Sequence, residues 1–500
     1  MYTPSPEEFL KLSKKGNLIP VYGEILADLE TPVCAYLKIA GGAKYSFLLE
    51  SVEGEEKIAR FSFLAKNPEL IFEVKGKSVK ISRPDKNKKR FISEVKEFAG
   101  NPLDYIREIL KPFQFVKLAS LPSFCGGVVG FLGYDVIRYF EKLGPKPFDD
   151  IGLPDIVLIL VKDLIIFDHR NHKIKVVSCV SVDPQGSKKE KLKAYRETLN
   201  KIEKTIRDLR KPLLSTQSLL LRPDLNVGTK NIKSNFTEEN FEAAVLKAKE
   251  HIQKGDIIQV VLSQRFTVPV RENSFNIYRQ LRVLNPSPYM YYLNFNDVKI
   301  VGASPELLVR CEEGVVQTRP IAGTRRRGKD AQEDAFLAQE LLEDAKERAE
   351  HIMLVDLGRN DLGRVCQKGT VRVNEFMKVE KYSHVMHIIS NVEGKLDPKQ
   401  DIFDVLKAAF PAGTVTGAPK IRAMEIIDNL EKVSRGPYAG CIAYFSFSGN
   451  LDSCITIRTI VVKKDKAYIQ AGAGIVADSN PSQEFQETIN KAKAQLLALQ

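Results

Sequence analysis

The stretch YMYYLNFNDVKIVGASPELLVRCEEGVVQTRP (289–320) reads as four strands in succession: YMYYLNFN, VKIVGASP, LLVRCEE and GVVQTRP. Only short turns separate them, and strands joined so closely pair antiparallel, since a parallel partner needs a crossover of a dozen residues or more. Upstream lies another strand, DIIQVVLSQRFTV (256–268), preceded by a helix that Thr237 is placed to cap. Hairpin-like strand pairs mixed with long helices predict an α+β fold with largely antiparallel sheets. The first 180 residues are also strand-rich, in SFLLESV, LIFEVKGKSVKIS, the glycine-punctuated SFCGGVVGFLGYDV (123–136), DIVLILVKDLIIFD and HKIKVVSCVSV. From 181 to 234 the character changes to turns, a charged helix (188–211) and a polar stretch. Three regions follow: 1–180, a connection at 181–234, and 235–500.

Five hundred residues with 43% hydrophobic and 28% charged content describe a folded chain, not a disordered one. The N-terminus has no apolar leader, and the longest greasy run, 156–167, is interrupted by Lys162 and Asp163. A cytoplasmic protein with no membrane role is expected. The seven cysteines are scattered and never spaced C-x-x-C, which suits buried reduced thiols. The net charge of +12 admits nucleic-acid binding or the steering of small polyanions. Much of the excess lies in KGKSVKISRPDKNKKR (75–90), which reads as a solvated hairpin. No nucleic-acid motif accompanies it.

Two glycine-rich segments imitate nucleotide sites. Gly472-Ala-Gly474-Ile-Val-Ala477 matches G-x-G-x-x-A, but no helix starts at once to meet a pyrophosphate. In Gly413-Thr-Val-Thr-Gly417-Ala-Pro-Lys420 the lysine is parted from the glycine by Ala-Pro, so it is no phosphate loop. Its backbone N–H groups are still suited to an anion such as a carboxylate.

The chemistry concentrates elsewhere. RPIAGTRRRG (319–328) offers donors to carboxylates and runs into DAFLAQELLEDAKERAEHIMLVDLGRND (334–361). There Leu337, Leu341, Ala345, Ile352 and Val355 keep a helical period, leaving Glu343, Glu347 and Glu350 on a neighbouring face. Residues three apart share a face, so Glu347 and Glu350 point to one place. A second pair, Glu484 and Glu487, stands on a helix that Asn480 caps and Pro481 begins. Acids on a helix are usually its solvated face. Two such pairs also suit Mg²⁺, which takes oxygen ligands and asks for only one or two carboxylates.

These residues resemble the chorismate-utilising enzymes, and among them the anthranilate-forming synthases. The resemblance rests on GDIIQVVLSQRF (255–266), GASPE (302–306), RPIAGTRRRG (319–328), ERAEHIMLVDLGRNDLGRV (347–365), YSHVMHI (382–388), PAGTVTGAPKIRAME (411–425), GPYAG (436–440), TIRT (456–459) and AGAGIVADSNPSQEFQET (471–488). LLES (48–51) and NPSPYM (285–290) resemble the family's tryptophan-binding motifs. The implied fold is two largely antiparallel, orthogonally packed sheets flanked by helices.

The resemblance implies roles residue by residue. Glu350 and Glu487 would coordinate Mg²⁺ on the ring carboxylate of chorismate, supported by Glu347 and Glu484. Thr324 and the Gly323 backbone would line the pocket. Tyr438, Arg458 and the Gly472–Gly474 backbone would hold the enolpyruvyl carboxylate, for which an arginine fork is apt. Ammonia would attack C2 while Glu306 protonates the departing C4 oxygen, and pyruvate loss would aromatise the ring. His387 would assist at the ring, with weaker claims for His351 and His384. Glu50, Ser51, Asn285, Pro288, Tyr289 and Met290 would bind tryptophan as a feedback inhibitor.

Two positions discriminate among the relatives. Water-adding members carry a lysine base where this chain has Gln259, and aminodeoxychorismate-forming members carry a lysine where it has Ala322. Ammonia and anthranilate are favoured, with aminodeoxychorismate formation as the alternative and a basic nucleic-acid-binding protein as the rival from another class. No cysteine sits in a G-x-C-x-G turn, so ammonia from glutamine implies a separate glutaminase subunit.

Overall fold

The computed structural model describes residues 2–51, 60–85, 90–213, 232–270, 272–382 and 385–499. Its strands form two large sheets, antiparallel as expected. Each sheet is assembled from both ends of the chain. In the first, Tyr45–Glu50 pairs with Tyr289–Phe295, which joins an N-terminal set of strands to Val298–Ser304, Thr459–Lys463, Lys466–Ile475 and Gln259–Pro269. In the second, Gly127–Leu132 pairs with Cys441–Ser446 and makes the corresponding join. The compositional boundaries at 180 and 235 therefore do not divide the sheets.

Apolar residues sort into three layers of core. One lies between the sheets, where Phe47, Ile166, Leu293 and Ile300 of the first meet Phe131, Ile159 and Ile442 of the second. The Phe131 and Phe295 rings meet across that gap at 5.9 Å. A second core packs the first sheet against helices Pro32–Ala40, Lys188–Leu209, Ser274–Leu284 and Pro481–Leu497. A third packs the other sheet against Ile402–Ala409 and Ala345–Gly363. The order is helix, sheet, sheet, helix, as an alternating apolar pattern on two-faced strands requires.

Local signals hold in detail. The Thr237 side chain accepts from Asn240 N at 3.3 Å, and Asn480 from Gln483 N at 3.2 Å. The basic hairpin is present as Leu70–Lys75 and Ser78–Pro84, while 86–89 lie outside the described residues. All seven cysteines are unpaired, and all but Cys34 are buried. Among the described residues no helix is long and apolar enough to cross a membrane.

One expectation needs correcting. The segment 334–361 is not one continuous helix but two, Ala331–Glu343 and Ala345–Gly363, which meet at Asp344. The Asp344 carboxylate accepts from Lys346 N and Glu347 N and so starts the second helix. The break also turns the stripe: Ile352, assigned to the apolar face, is 43% exposed, and His351 is buried in its place.

Candidate active site

Asp344 sets the phase of helix Ala345–Gly363, and that phase places Glu347 and Glu350 on one side of it. Burial and the nearby Glu350 push the Glu347 carboxyl above the usual range, with Arg325 opposing. Two carboxylates held close with incomplete neutralisation make a cation-seeking surface. The stretch 319–328 contains strand Ile321–Arg326 rather than a turn, and its last three arginines bind acids of neighbouring helices, not a substrate as the sequence suggested. Arg325 binds Glu340, Asp344 and Glu347 at 3.1, 2.9 and 3.4 Å, Arg326 pairs with Glu333, and Arg327 with Asp334 at 2.8 Å. They fasten the strand to the two helices behind it.

The second acid pair rises from helix Pro481–Leu497. Burial raises the Glu484 carboxyl, Ser479 opposes, and Glu487 raises it further. Glu487 pairs with Lys491 at 2.6 Å, and Lys491 donates to the Gly472 carbonyl at 3.1 Å. A short chain of contacts joins the two helices. Gln259 Nε2 donates to Glu350 Oε1 at 3.1 Å, and a Cβ built on Gly474 would stand 2.7 Å from that same nitrogen. A side chain at 474 would therefore push the Gln259 amide away from Glu350. Gly472, two residues along, would put its Cβ 2.6 Å from the Tyr438 hydroxyl. The charge on Lys346 of the first helix is also felt at Glu484 on the second.

Tyr438 is held from behind. Arg435 lies over its ring at 5.5 Å and is bound to Glu431 at 2.6 Å, both of them buried. Glu431 in turn accepts from Ser263 N and Oγ at 2.8 and 2.9 Å. Arg458 sits in left-handed backbone, φ 50°, a strained conformation of the kind that gathers at binding sites. Burial lowers its proton affinity, and it donates to Asn285 Oδ1 at 3.1 Å.

His387 Nδ1 lies 2.8 Å from the Gly323 carbonyl, which can only accept, so Nδ1 carries the proton and Nε2 has a free lone pair. Burial lowers the His387 pKa and favours this neutral form. Thr324 Oγ1 is 3.1 Å from Nδ1. Glu306 is pushed up to about 7 by burial, against the opposing influence of Thr414 and Lys491. A carboxyl so placed is half protonated near neutrality, as a general acid should be. His351 is different: Nε2 bonds Ser390 Oγ at 2.6 Å, and burial lowers its pKa to about 4. It is a neutral core histidine. His384 lies outside the described residues.

The tryptophan-motif residues gather elsewhere. Strand register sets Met290 opposite Glu50. Glu50, Ser51, Pro288, Tyr289 and Met290 line a cavity of about 910 Å³, counting its open mouth, together with Phe61 and Phe63. Ser51 Oγ is buried there without a protein partner, while Glu50 is bound by Tyr278 and by Arg282 at 3.2 Å. Asn285 does not line this cavity; its contact is Arg458.

Among the described residues, no group of three or more His, Cys, Asp or Glu is gathered tightly enough to enclose a metal. The candidate donors are two carboxylate pairs on separate helices, linked through Gln259, the Gly472–Gly474 strand and Lys491. This set does not suit zinc or another cation that needs a closed protein cage. It fits Mg²⁺, which keeps several waters and takes one or two carboxylates plus substrate oxygens. Sequence reasoning missed Lys491, although its place four residues after Glu487 is the ion-pair spacing of a helix. It also missed the Glu431–Arg435 support, a pair at the same spacing just beyond helix Lys420–Leu430.

The family model for chorismate binding enzymes matches residues 45–497. Anthranilate synthase component 1 of Acetivibrio thermocellus is 48% identical over 500 residues, covering 100% of this chain and 99% of that protein. The Aquifex aeolicus component 1 is also 48% identical, covering 99% and 97%. The crystal structure of anthranilate synthase component I from Streptococcus pneumoniae superposes with a TM-score of 0.73 at 39% identity, covering 94% of this chain and 99% of that one. A menaquinone-specific isochorismate synthase from Escherichia coli shares the fold at TM-score 0.68 and 20% identity, covering 100% and 99%.

Proposed function

The chain belongs to the chorismate binding enzymes, as a chorismate-utilising lyase of the anthranilate synthase component 1 group, and we propose that it converts chorismate and ammonia to anthranilate and pyruvate at a site built on its two acidic helices. The observation that carries this choice is Gln259. It stands where water-adding members of the family carry a basic lysine, and its amide is engaged by Glu350 at 3.1 Å. An amide cannot take a proton from water. Ammonia is a good nucleophile without such help and needs only positioning.

In this reading Glu350 and Glu487 would hold Mg²⁺ with Glu347 and Glu484 in support, and the ion would supply positive charge to a bound carboxylate. Arg458, Tyr438 and the backbone at Gly472 and Gly474 bind the enolpyruvyl carboxylate. Glu306 delivers its proton to the leaving C4 oxygen. His387, neutral with Nε2 free, is suited to receive a proton at the ring during aromatisation. Gly323 and Thr324 shape the wall beside it. The +12 charge of the chain favours the approach of a dianionic substrate. A separate amidotransferase component, with which this one works in the cytoplasm, provides ammonia from glutamine.

The deciding assay supplies chorismate, an ammonium salt and Mg²⁺ and follows anthranilate fluorescence. Isochorismate, salicylate or aminodeoxychorismate as the main product would overturn the assignment. A second expectation follows from the same position. Gln259→Lys restores a base and should open a water-adding side reaction, seen as isochorismate by chromatography. A variant that forms only anthranilate at wild-type rate would show that position 259 does not select the nucleophile.

The cavity beneath Glu50 and Met290 is the proposed tryptophan site. Ser51 Oγ, buried and unpartnered, awaits a polar ligand atom, and Phe61, Phe63 and Pro288 suit an indole. Asn285 gives this site a route to the substrate. It follows directly on helix Ser274–Leu284, whose Arg282 holds Glu50, and it bonds Arg458. Tryptophan that moves this segment draws on the arginine that grips substrate, and the coupling is reciprocal in binding free energy. Ser51→Phe or Met290→Thr should leave turnover largely intact and raise the inhibitory tryptophan concentration at least tenfold. Calorimetric titration with and without chorismate checks it; a wild type that does not bind tryptophan would remove the regulatory role and leave the catalytic one.

A further inference from the structure

Glu306 lines a half-enclosed cavity of about 430 Å³, counting its open mouth, that includes no other residue assigned above to substrate or metal. Arg319, Thr414 and Asp361 add polar groups to the wall, and Leu354 and Leu357 add apolar ones. Arg319 Nε is buried without a hydrogen-bond partner among the described residues, and Thr414 Oγ1, also buried, lies close enough to the Glu306 carboxyl to lower its proton affinity. Buried polar atoms left in this state beside a space of this size are ordinarily met by ordered water. Asp361, 7% exposed, is held at the cavity by Lys420 at 3.0 Å.

We propose that this cavity is a water-filled proton path through which Asp361 reloads Glu306 after each turnover. The inference rests on the reading of Glu306 as the acid that protonates the leaving oxygen. The protons balance. Glu306 gives one proton to the C4 oxygen, which departs as water, and is left as a carboxylate. The attacking ammonia loses one proton to solvent as the C2–N bond forms, which replaces the one that solvent supplies to Asp361. One proton returns to Glu306 from Asp361 through water, and Asp361 takes one from solvent. Burial raises the proton affinity of both carboxyls, so each holds a proton more readily than a surface acid. The charges that face them oppose this: Lys491 at Glu306, and Lys420 and Arg364 at Asp361.

The test compares Asp361→Asn, Asp361→Glu and Lys420→Met in the full chain, assayed with chorismate, Mg²⁺ and ammonium. Asp361→Asn should lower kcat about tenfold or more, the low end of what a proton-transfer group contributes. Its KM for chorismate should stay unchanged, and the loss should deepen from pH 6.5 to 8.5 as solvent protons become scarce. Asp361→Glu, which keeps a carboxyl, should recover most of the rate. Lys420→Met breaks the same ion pair without removing the carboxyl and should lose far less. Equal losses in Asp361→Asn and Lys420→Met, with flat pH dependence, would mean that Asp361 is only structural. Wild-type kcat in Asp361→Asn across the pH range would also overturn the path. Both outcomes presuppose an active wild type; a wild type that makes no anthranilate would instead strike the underlying reading of Glu306, and the relay with it.

Discussion

Glu350→Gln and Glu487→Gln should each reduce kcat/KM for chorismate by about 100- to 1,000-fold, because on the proposed assignment each removes a principal oxygen ligand from a site that has few. A Lewis acid supplies several kcal/mol of charge stabilisation, and roughly 3–4 kcal/mol corresponds to two or three decades of rate. The fold should survive. Neither carboxylate is buried, and removing Glu350 costs a hydrogen bond from Gln259 while removing Glu487 costs a half-exposed pair with Lys491. The measurement is a Mg²⁺ titration of rate and of heat in wild type and both variants, beside thermal melts. Near-normal activity at low Mg²⁺ in either variant would sink the metal assignment.

Glu306→Gln should be inactive in the leaving-group step and yet more stable than wild type at alkaline pH. The Glu306 carboxyl titrates near 7 in the folded chain against an ordinary 4.5, so the native state binds its proton more tightly than the unfolded state. Stability is fully present below 4.5 and is lost as pH rises through about 7, because at higher pH a buried carboxylate must be kept charged. The shift corresponds to roughly 3 kcal/mol at most. Glutamine carries no such charge, so the gap between variant and wild type should be small at pH 5 and widen toward pH 8.5. Parallel denaturation curves at the two pH values check it. A wild type whose stability does not fall across that window would contradict the raised proton affinity and weaken the case for Glu306 as the acid.

Much of this was readable before any coordinates. Antiparallel hairpins at 289–320, the caps at Thr237 and Asn480, and the facing of Glu347 with Glu350 follow from short-range rules of period and capping. The helix break at Asp344 was not seen, because both helices carry similar alternation and the acid looks like one more surface residue. The signal was present: Asp344 followed three residues later by Glu347 has the spacing of a helix start. Strand neighbours such as Tyr45–Glu50 with Tyr289–Phe295 were beyond reach, since a partner some 240 residues away leaves no periodic mark. Shorter separations, with no periodic mark either, hide Lys420 from Asp361 and Tyr438 from Gly472. The arginine run misled because a cluster of guanidinium groups says nothing of whether its acids lie in a ligand or in the next helix.

The weaving of both chain ends into both sheets has a consequence for synthesis. Strand Lys466–Ile475 lies between Thr459–Lys463 and Gln259–Pro269, well inside the first sheet, and helix Pro481–Leu497 covers it. While the chain emerges from a ribosome, the N-terminal strands can pair among themselves, but Tyr45–Glu50 and Gly127–Leu132 wait for partners that have not yet been made. No half can close a sheet and set aside a finished unit, so the last thirty or so residues complete the scaffold and deliver Glu484 and Glu487 together. Such long-range pairing is slow and leaves strand edges open meanwhile. A nascent chain halted short of residue 466 should be a client for chaperones and proteases, never a partly working enzyme that commits chorismate to waste.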